Sequence, residues 1–484
     1  IFYILKMKEK NNIKNEGYSF KRAASYATGQ IADQGAYQTF TFLVFTFYYT
    51  IVQINITLIT IGFIIWAIWN SFNDPILGFL SDRTHTKFGR RLPYIMVAII
   101  PLGLVLFFLF SPSLFIGANN EIGNFIYFLV IIILFELFYT MFSLNATSLF
   151  PETFISKDER TKANNVRQVF LILGLIVAFV LPALFISDYT PDSLDIDAIA
   201  KAKGQYQFFG VIAAEIVIIV GIIFILFTPR EKKEFKEDYK IAPGLFKSIK
   251  MCLKSKSFMW YIPAEIANWF VYGILPTLIP LYARAVLNIT NTLVISLLMG
   301  AAFISSVIFI TFIWRPIVRR IGNRKSWMIS MACWIVTLLP LMFLGPRMEV
   351  IAIIVFFFIG LGLSGSFYII DLVVADIIDE EEVKTGTRRE AGYYGVNAFF
   401  LRLAIIVVFL SIGPMFIISD YVTFTLPVST DFQMTLRILM FVYPAVALTI
   451  AILSIYKYPL HGEKLRQVKE ELQKIHEEKK SKIT

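Results

Sequence analysis

Three polar residues on one apolar stretch have the types and spacing of a small-cation site. Asn70, Asn73 and Asp74 lie three and four positions apart in an otherwise hydrophobic run, and this spacing places side chains on one face of an α-helix. Amide and carboxylate oxygens are suitable ligands for a hard cation. Pro75 follows directly and loosens the helical hydrogen bonding there. The pattern predicts a cation site at Asp74, and the alternative is that Asp74 only pairs with an arginine or hydrogen-bonds the backbone kinked by Pro75.

The helix that carries these residues is one of many apolar stretches. Hydrophobic residues make up 57% of the 484-residue chain, charged residues make up 17%, and the mean hydropathy is +0.68, whereas soluble domains average about 25% charged residues. Runs of roughly 20 apolar residues cross the hydrocarbon core as helices. The composition predicts an all-α integral membrane protein, in which each ionisable group at bilayer depth is a functional candidate.

The apolar runs number twelve, with six on each side of a basic central segment. This arrangement is typical of a duplicated transporter and predicts two six-helix bundles. The expected organisation is an N-terminal segment at 1–22, a first bundle at 23–228, a linker at 229–257, a second bundle at 258–458 and a charged tail at 459–484. The tail is expected to be a solvated amphipathic helix without a binding role.

Lysine and arginine are concentrated in alternate loops. The loops after the second, fourth, sixth, eighth and tenth runs are basic, whereas the intervening loops offer little beyond Lys201, Lys203 and Arg347. By the positive-inside rule the basic loops face the cytoplasm, and an even number of spans places both termini there. We expect a multi-pass protein of the cell membrane, in contact with membrane lipids, with Met7 as a candidate true start.

Composition and motifs argue against several classes of function. All three histidines lie in loops or the tail, and Cys252 and Cys333 lie far apart, so no histidine or thiolate metal site is indicated. No P-loop, Gly-x-Ser-x-Gly motif or extramembrane domain is present, and no enzyme is expected. Loop topology and lipid headgroups explain the net charge of +10 better than nucleic acid does. We expect a monomer without cofactors, and no metal except Na⁺ at Asp74.

Longer motifs resemble a known family. The stretch Asn-Ser-Phe-Asn-Asp-Pro-Ile-Leu-Gly at 70–78 is followed by Asp-Arg-Thr at 82–84 and Gly-Arg-Arg-Leu-Pro-Tyr at 89–94. With Ala-Asp-Ile-Ile-Asp-Glu-Glu at 375–381 and Asp-Glu-Arg at 158–160, these motifs are similar to those of the glycoside-pentoside-hexuronide:cation symporters, the melibiose-permease-like branch of the major facilitator superfamily. The resemblance implies a major facilitator fold and sugar uptake driven by sodium ions or protons.

The resemblance also implies roles for individual residues. The family's helix-two motif begins with an aspartate where this chain has Asn70, so one cation-binding carboxylate is missing and Asp74 is left to bind a proton or a more weakly held sodium ion. Thr140 matches the family's additional cation-site threonine. Of the family's two sugar-binding aspartates, Asp33 replaces the first, slightly shifted along its helix, and Ser143 stands in place of the second. A serine there argues against a melibiose-like disaccharide.

Further polar residues within the apolar runs are candidates for the substrate cavity. Arg402 matches a basic residue of the family, and three roles are open to it: pairing with Asp74, binding an acidic substrate, or a structural ion pair. Glu136 lies four residues before Thr140, on the same helical face. Aromatic and amide side chains suit sugar binding. The predicted substrate-binding residues are Asp33, Tyr37, Gln38, Glu136, Ser143, Asn145, Glu265, Trp269, Asn397 and Arg402.

Charged residues at the cytoplasmic ends of the runs predict a gate. Such groups form ion pairs that close the inner side in one state and break in another, and the alternative is that they only determine topology. The predicted gate consists of Arg83, Arg90, Arg91, Arg160, Arg167, Asp376, Asp379, Arg388 and Arg389.

Three functions fit the sequence. The leading one is secondary active transport, the symport of a sugar, glycoside or related polar solute with Na⁺ or H⁺ by alternating access. The second keeps the fold and carries a lysolipid or another amphiphile, which the 47 phenylalanines also fit. The third is a sensor that binds its solute without transporting it. The first predicts a small sugar-like solute as the binding partner.

Overall fold

The computed structural model describes residues 19–84, 86, 88–112, 116, 120–154, 157–227, 252–385 and 390–481. Regular structure in these ranges is helical, apart from one isolated bridge between Thr86 and Gly89. The helices are α1 (Phe20–Ala27), α2 (Gly29–Thr39), α3 (Ile56–Arg83), α4 (Leu92–Leu109), α5 (Glu121–Thr153), α6 (Lys157–Phe179), α7 (Leu181–Phe185), α8 (Ile196–Phe227), α9 (Lys256–Ala285), α10 (Thr292–Phe309), α11 (Arg315–Ile321), α12 (Asn323–Leu338), α13 (Glu349–Thr385), α14 (Glu390–Ile418), α15 (Thr430–Arg437), α16 (Tyr443–Tyr456) and α17 (Gly462–Ser481).

Membrane-spanning helices account for most of this list. Eleven stretches of the described chain are long and apolar enough to cross a bilayer. The first predicted span, residues 23–51, is also helical, but it is divided at Thr28 and contains π-helical turns at Phe40–Val44 and Phe47–Ile51. Helices therefore lie at all twelve predicted positions, and the prediction of an all-α membrane protein is confirmed.

Capping residues explain where several helices begin. Side-chain oxygens of Asn55, Asn120, Ser255 and Ser429 accept hydrogen bonds of 2.8–3.3 Å from backbone N–H groups in the first turns of α3, α5, α9 and α15. These N–H groups have no partner within the helix, and such a cap typically contributes about 1 kcal/mol. Because lipid offers no hydrogen bonds, the caps also make each helix end compatible with the membrane boundary.

Helix α3 is hydrophobic on its outer face and polar on its inner face. Its large exposed side chains recur every three or four residues, so they form one stripe along the helix. Asn70 and Asn73 lie on the opposite side and are almost completely buried. This is the reverse of a water-soluble amphipathic helix, because the stripe faces lipid and the amides face other helices. The stripe comprises Ile61, Ile65, Ile68, Phe72, Ile76 and Phe79.

The chain divides into two compact units, which we call the N-terminal and C-terminal units. The N-terminal unit contains residues 1–241 together with Thr290–Ser296 and Val422–Pro427, and the C-terminal unit contains the remaining residues. The two short segments join the N-terminal unit through hydrogen bonds: Thr292 donates to the Ile186 carbonyl at 2.8 Å, and the Ile56 N–H donates to the Val422 carbonyl at 2.9 Å. Most of the predicted linker, residues 228–251, lies outside the described residues, as do Met7 and the rest of residues 1–18.

Two glycines allow α2 and α6 to pack closely. A Cβ atom at Gly174 would lie 2.8 Å from the Gln34 Cβ and 2.9 Å from the Gln30 carbonyl oxygen. A Cβ atom at Gly35 would lie 3.3 Å from Val177. Small residues at helix contacts let two backbones approach each other in a membrane, where packing rather than hydrophobic burial drives association. The contact fixes the helix that carries Asp33.

Helix α17 is the amphipathic helix predicted for the tail, and its first half packs on the rest of the C-terminal unit. Helix α17 packs against α13, with Val468 and Leu472 buried at the contact. Lys469 forms ion pairs of 2.7 Å with Asp376 and 2.6 Å with Asp379, both on α13. The sequence pattern did not reveal the docking because these acids and Lys469 are about 90 residues apart.

We expect Gly174→Ala to destabilise the protein although alanine is the better helix former. The new methyl group must displace Gln34 or the backbone at Gln30, and overpacking of this kind costs about 1–3 kcal/mol. The matched control is Gly204→Ala on α8, where a Cβ atom meets nothing within 4 Å and the propensity gain is about 1 kcal/mol. Thermal unfolding in detergent should show a lower midpoint for the first variant and an equal or higher one for the second. Equal midpoints would contradict the close contact.

We expect Lys469→Met to lower the free energy of unfolding by about 1–3 kcal/mol, because it removes the ammonium group that pairs with two buried carboxylates, an effect that the partial exposure of Lys469 moderates. Lys474→Met on the same helix is the control. Burial lowers the pKa of Lys469, but the ion pairs with Asp376 and Asp379 outweigh this effect, so the pKa is raised.

The raised pKa of Lys469 determines how the difference in free energy of unfolding between wild type and Lys469→Met depends on pH. A basic group whose pKa is higher in the folded protein stabilises the fold fully at any pH below its pKa in the unfolded chain, which is about 10.4 for lysine. This stabilisation is lost as the pH rises through the pKa of the folded protein. Unfolding of wild type and Lys469→Met should therefore differ constantly up to about pH 10 and converge above it. A difference that persists undiminished at higher pH would show that the ammonium charge is not responsible.

Candidate functional site

One threonine hydroxyl joins the two central acids of the N-terminal unit. The Thr140 hydroxyl on α5 donates to Asp74 Oδ1 on α3 at 2.9 Å, and it lies 3.3 Å from Glu136 Oε1 one turn earlier on α5. Glu136 is fully buried and Asp74 is partly buried. Two carboxyl groups from different helices thus lie around a single hydroxyl, which is an arrangement that a cation or a proton stabilises.

The two amides of the predicted cation motif lie on the same helix as Asp74. The Asn73 side chain donates to the Glu136 backbone carbonyl at 3.3 Å, which ties α3 to α5. Asn70 is completely buried, and neither its amide nitrogen nor its amide oxygen has a hydrogen-bond partner. A buried amide without partners costs free energy, so Asn70 offers an oxygen to a ligand. The structure brings Asn73, Asp74 and Thr140 together with Glu136, and Asn70 lies one turn before Asp74 on α3.

A second group in the same unit combines an acid with aromatic rings. Asp33 on α2 is buried, and its Oδ2 accepts a hydrogen bond of 2.9 Å from Gln34 while its Oδ1 has no partner. Tyr37, one turn further along, stacks on Tyr139 of α5 with ring centroids 5.0 Å apart. Ser143 lies one turn further along α5, next to the Tyr139 hydroxyl. The predicted residues Asp33, Tyr37 and Ser143 therefore form one cluster, joined by Tyr139.

Two predicted substrate residues of this unit mainly bond along their own helices. Gln38 donates to the Gln34 side chain at 3.3 Å, and Asn145 donates to the Met141 carbonyl at 2.8 Å. Both side chains are buried. Their hydrogen bonds satisfy polar groups within the helix, although the Asn145 amide oxygen stays unpartnered.

Three predicted substrate residues meet in the C-terminal unit. Glu265 on α9 is buried, and its Oε1 accepts hydrogen bonds of 3.1 Å from the Trp269 indole and of 3.1 Å from the Asn397 amide on α14. The Trp269 ring also packs edge-on against Tyr272 and Phe367, each at 5.2 Å. Arg402 lies on α14 with a partly buried side chain. The predicted substrate-binding set is thus distributed over both units.

The predicted gate residues have contacts close to their own helix ends. The Arg83 guanidinium lies 3.9 Å from the centre of the Phe79 ring, and Arg91 donates to the Ser81 hydroxyl at 2.9 Å. Arg160 donates to the Phe154 carbonyl at 2.7 Å. Arg90 is buried, and Arg167 lies over the Phe150 ring.

The acidic members of the predicted gate have different surroundings. Asp376 accepts a hydrogen bond of 2.6 Å from Asn323, and both Asp376 and Asp379 pair with Lys469 of the tail. Arg388 and Arg389 lie outside the described residues. The gating role of the whole set stays a prediction.

Sequence reasoning missed three residues that complete these clusters. Tyr139 follows Glu136 by three positions, and Tyr261 precedes Glu265 by four, so the helical spacing that led to the acids applied equally to these tyrosines. Lys469 carried no comparable signal, because its position on a highly charged helix is not distinguished from its neighbours.

Comparisons with known proteins agree with this architecture. A family model described as MFS/sugar transport protein matches residues 25–462. The sodium-dependent lysophosphatidylcholine symporter 1 of Mus musculus is 22% identical over 85% of this chain and 80% of its own length. The isoprimeverose transporter of Lactiplantibacillus pentosus is 24% identical over 74% of this chain and 72% of its own length.

A solved structure supports the fold independently. The crystal structure of a D-xylose-proton symporter superimposes with a TM-score of 0.63 at 12% identity, over 91% of this chain and 98% of the other. The membrane-spanning helices and the family model define a multi-pass membrane transporter with a small-molecule substrate. The chain belongs to the MFS/sugar transport protein family of the major facilitator superfamily, in agreement with the resemblance in its motifs.

Proposed function

We propose that the protein is a cation-coupled symporter of a sugar, glycoside or related polar solute, and that Asp74 is its coupling group. The observation that carries the proposal is the Thr140 hydroxyl within hydrogen-bond distance of both Asp74 and Glu136. Carboxylates at bilayer depth repel each other and are poorly solvated. A cation or proton that neutralises them changes the stability of this helix pair, and such a change is the basis of coupling to an alternating-access movement.

The atoms around Asp74 fit either Na⁺ or H⁺ as the coupling ion. Na⁺ would find carboxylate oxygens on Asp74 and Glu136, the Thr140 hydroxyl and the unpartnered Asn70 amide oxygen. H⁺ would need only the two carboxyl groups and the hydroxyl between them. In either case Glu136 supplies the second carboxylate that the helix-two motif lacks at Asn70, so the charge of the site is kept.

The cluster at Asp33 supports a sugar or glycoside as cargo. A carboxylate binds hydroxyl groups through charge-assisted hydrogen bonds, and the stacked rings of Tyr37 and Tyr139 offer an aromatic platform. Ser143 adds a neutral hydroxyl through Tyr139. The name of the isoprimeverose transporter, a relative over 74% of this chain, points in the same direction.

Several properties of the protein complete the proposal. A transporter of this type binds and releases its solute unchanged, so we infer that it has no enzymatic activity and no cofactor beyond the coupling ion. We also infer that the protein is a monomer in the cell membrane. Both termini are inferred to lie in the cytoplasm, because the basic loops alternate along the chain.

A lysolipid or another amphiphile is the second candidate cargo. The mouse relative over 85% of this chain is named for lysophosphatidylcholine, and the same acid cluster would couple such a cargo to a cation. Carrying an acyl chain requires apolar lining next to the polar site, and the rings around Tyr37 and Trp269 would serve either cargo.

Ligand-induced stabilisation should identify the cargo class. A ligand that binds the folded state stabilises it by RT ln(1 + [L]/Kd), about 2.7 kcal/mol at one hundred times Kd. We expect a sugar or glycoside to raise the unfolding temperature of the purified protein, and to raise it further with Na⁺ or at lower pH. A shift with lysophosphatidylcholine below its micellar concentration, and none with sugars, would select the second candidate. Asp33→Asn is the matched variant and should abolish a sugar-induced shift.

Uptake into proteoliposomes should depend on Asp74 and on the Thr140 hydroxyl. We expect Asp74→Asn to abolish accumulation driven by a Na⁺ or H⁺ gradient while leaving substrate exchange measurable. Thr140→Val, which removes the hydroxyl at constant shape, should weaken the apparent cation affinity by roughly tenfold or more, since hydrogen bonds to charged groups contribute about 1.5–3 kcal/mol. Thr140→Ser should retain wild-type affinity. Gradient-driven accumulation that survives Asp74→Asn would overturn the coupling role.

A further inference from the structure

The buried acid of the C-terminal unit has an environment unlike that of Asp74. Glu265 is 1% exposed on α9, and its hydrogen-bond partners, Trp269 and Asn397, are both neutral. Both donate to the same oxygen, Oε1. The other oxygen, Oε2, is buried without a hydrogen-bond partner. The carboxyl group therefore has one oxygen arranged as a pure acceptor and one oxygen left unoccupied.

The electrostatic surroundings oppose a negative charge at this position. The titratable groups that act on Glu265, among the described residues, are Tyr261 on its own helix and Asp371 on α13. Tyr261 is neutral at physiological pH, and the carboxyl group of Asp371 contributes a like charge. Removing a carboxylate from water costs several kcal/mol, and two neutral N–H donors compensate only part of that cost. The neutral acid avoids the cost altogether.

We propose that Glu265 is a proton-binding site of the C-terminal unit, separate from the cation site at Asp74, and that it holds a proton on Oε2 at neutral pH. The hydrogen-bond pattern fits this form, because in a carboxylic acid the carbonyl oxygen accepts hydrogen bonds and the hydroxyl oxygen carries the proton. Here Oε1 accepts from Trp269 and Asn397, and Oε2 is the oxygen with room for hydrogen.

The site suits a proton better than a metal ion or a sugar hydroxyl. Both hydrogen-bond donors to Glu265 present N–H groups, which a metal cation would repel. The described residues also contain no cluster of three or more acidic, histidine or cysteine side chains that could hold a metal ion. A sugar hydroxyl would have to reach Oε2, which is buried away from solvent. A proton needs no more than Oε2.

A tyrosine lies between Glu265 and the start of its helix. Tyr261 lies one turn earlier on α9, and its buried hydroxyl lies next to the Glu265 carboxyl group and the Asn397 amide. Glu265 is nine residues from the first residue of α9, Lys256, a rise of about 14 Å. The Tyr261 hydroxyl is therefore the neighbouring polar group with which Glu265 exchanges a proton on this side.

This inference does not depend on the cargo or on coupling at Asp74. It adds a second protonation position, so that the pH on one side of the membrane acts on the C-terminal unit directly. Its test needs neither substrate nor gradient, and a failure of gradient-driven uptake would leave the outcome of that test unchanged.

Infrared spectroscopy of the full-length protein in lipid measures the protonation state of Glu265 directly. Protonated carboxylic acids and carboxylates absorb at separate frequencies, and the acid band shifts in D₂O. We expect the difference between wild type and Glu265→Gln at pH 7 to contain one carboxylic acid band and no carboxylate bands. Carboxylate bands in that difference would overturn the proposal. Glu121→Gln, at the exposed start of α5, is the control, and its difference should show carboxylate bands only.

A second measurement avoids changing Glu265. The Trp269 indole donates to this carboxyl group, so ionisation of Glu265 changes Trp269 fluorescence. We expect a fluorescence step above pH 7 in wild type that is absent in Trp269→Phe. If the Trp269-dependent change in fluorescence occurs only at acid pH, or if no such change occurs above pH 7, Glu265 does not hold a proton at pH 7 and the proposal is wrong. Gln at position 265 can still accept both hydrogen bonds at Oε1, so the variant of the first experiment is expected to fold.

Discussion

Burying carboxyl groups among apolar helices is the constraint on which the rest of this structure depends. An acid at bilayer depth costs several kcal/mol unless a charge, a hydrogen bond or a proton neutralises it. The chain satisfies this requirement in three places. Asp74 and Glu136 share the Thr140 hydroxyl, Glu265 accepts two neutral N–H donors, and Asp376 with Asp379 pairs with Lys469.

The three environments of the buried acids correspond to three different roles. Acids around a shared hydroxyl in the N-terminal unit are sensitive to an ion that enters between them. An acid with neutral donors favours the proton itself. Acids at the end of α13 that pair with a lysine of α17 tie the tail helix to the unit. The differences follow from the partners, since the residue type is the same or nearly so in each case.

Helix packing positions these groups by rules particular to membranes. The outer stripe of α3 meets lipid, so its inner face has to accommodate Asn70 and Asn73. Gly174 and Gly35 allow α2 and α6 to come close, which places Asp33 and Tyr37 next to α5 and its Tyr139. Small residues and buried amides thus determine how the helices pack in this protein, whereas in a soluble protein large apolar side chains of the core determine the packing.

The sequence by itself determined the fold class, the twelve helical positions and the common face of Asn70, Asn73 and Asp74. These features depend on composition and on helical spacing, both of which are local. Only the tertiary structure decided that Glu136 shares Thr140 with Asp74, that Asn397 reaches Glu265 over 132 positions, and that Lys469 docks on α13. The physical reason is that contacts between distant helices depend on which faces the packed bundle brings together. Local periodicity shows which face of a helix is polar but not which other helix it meets.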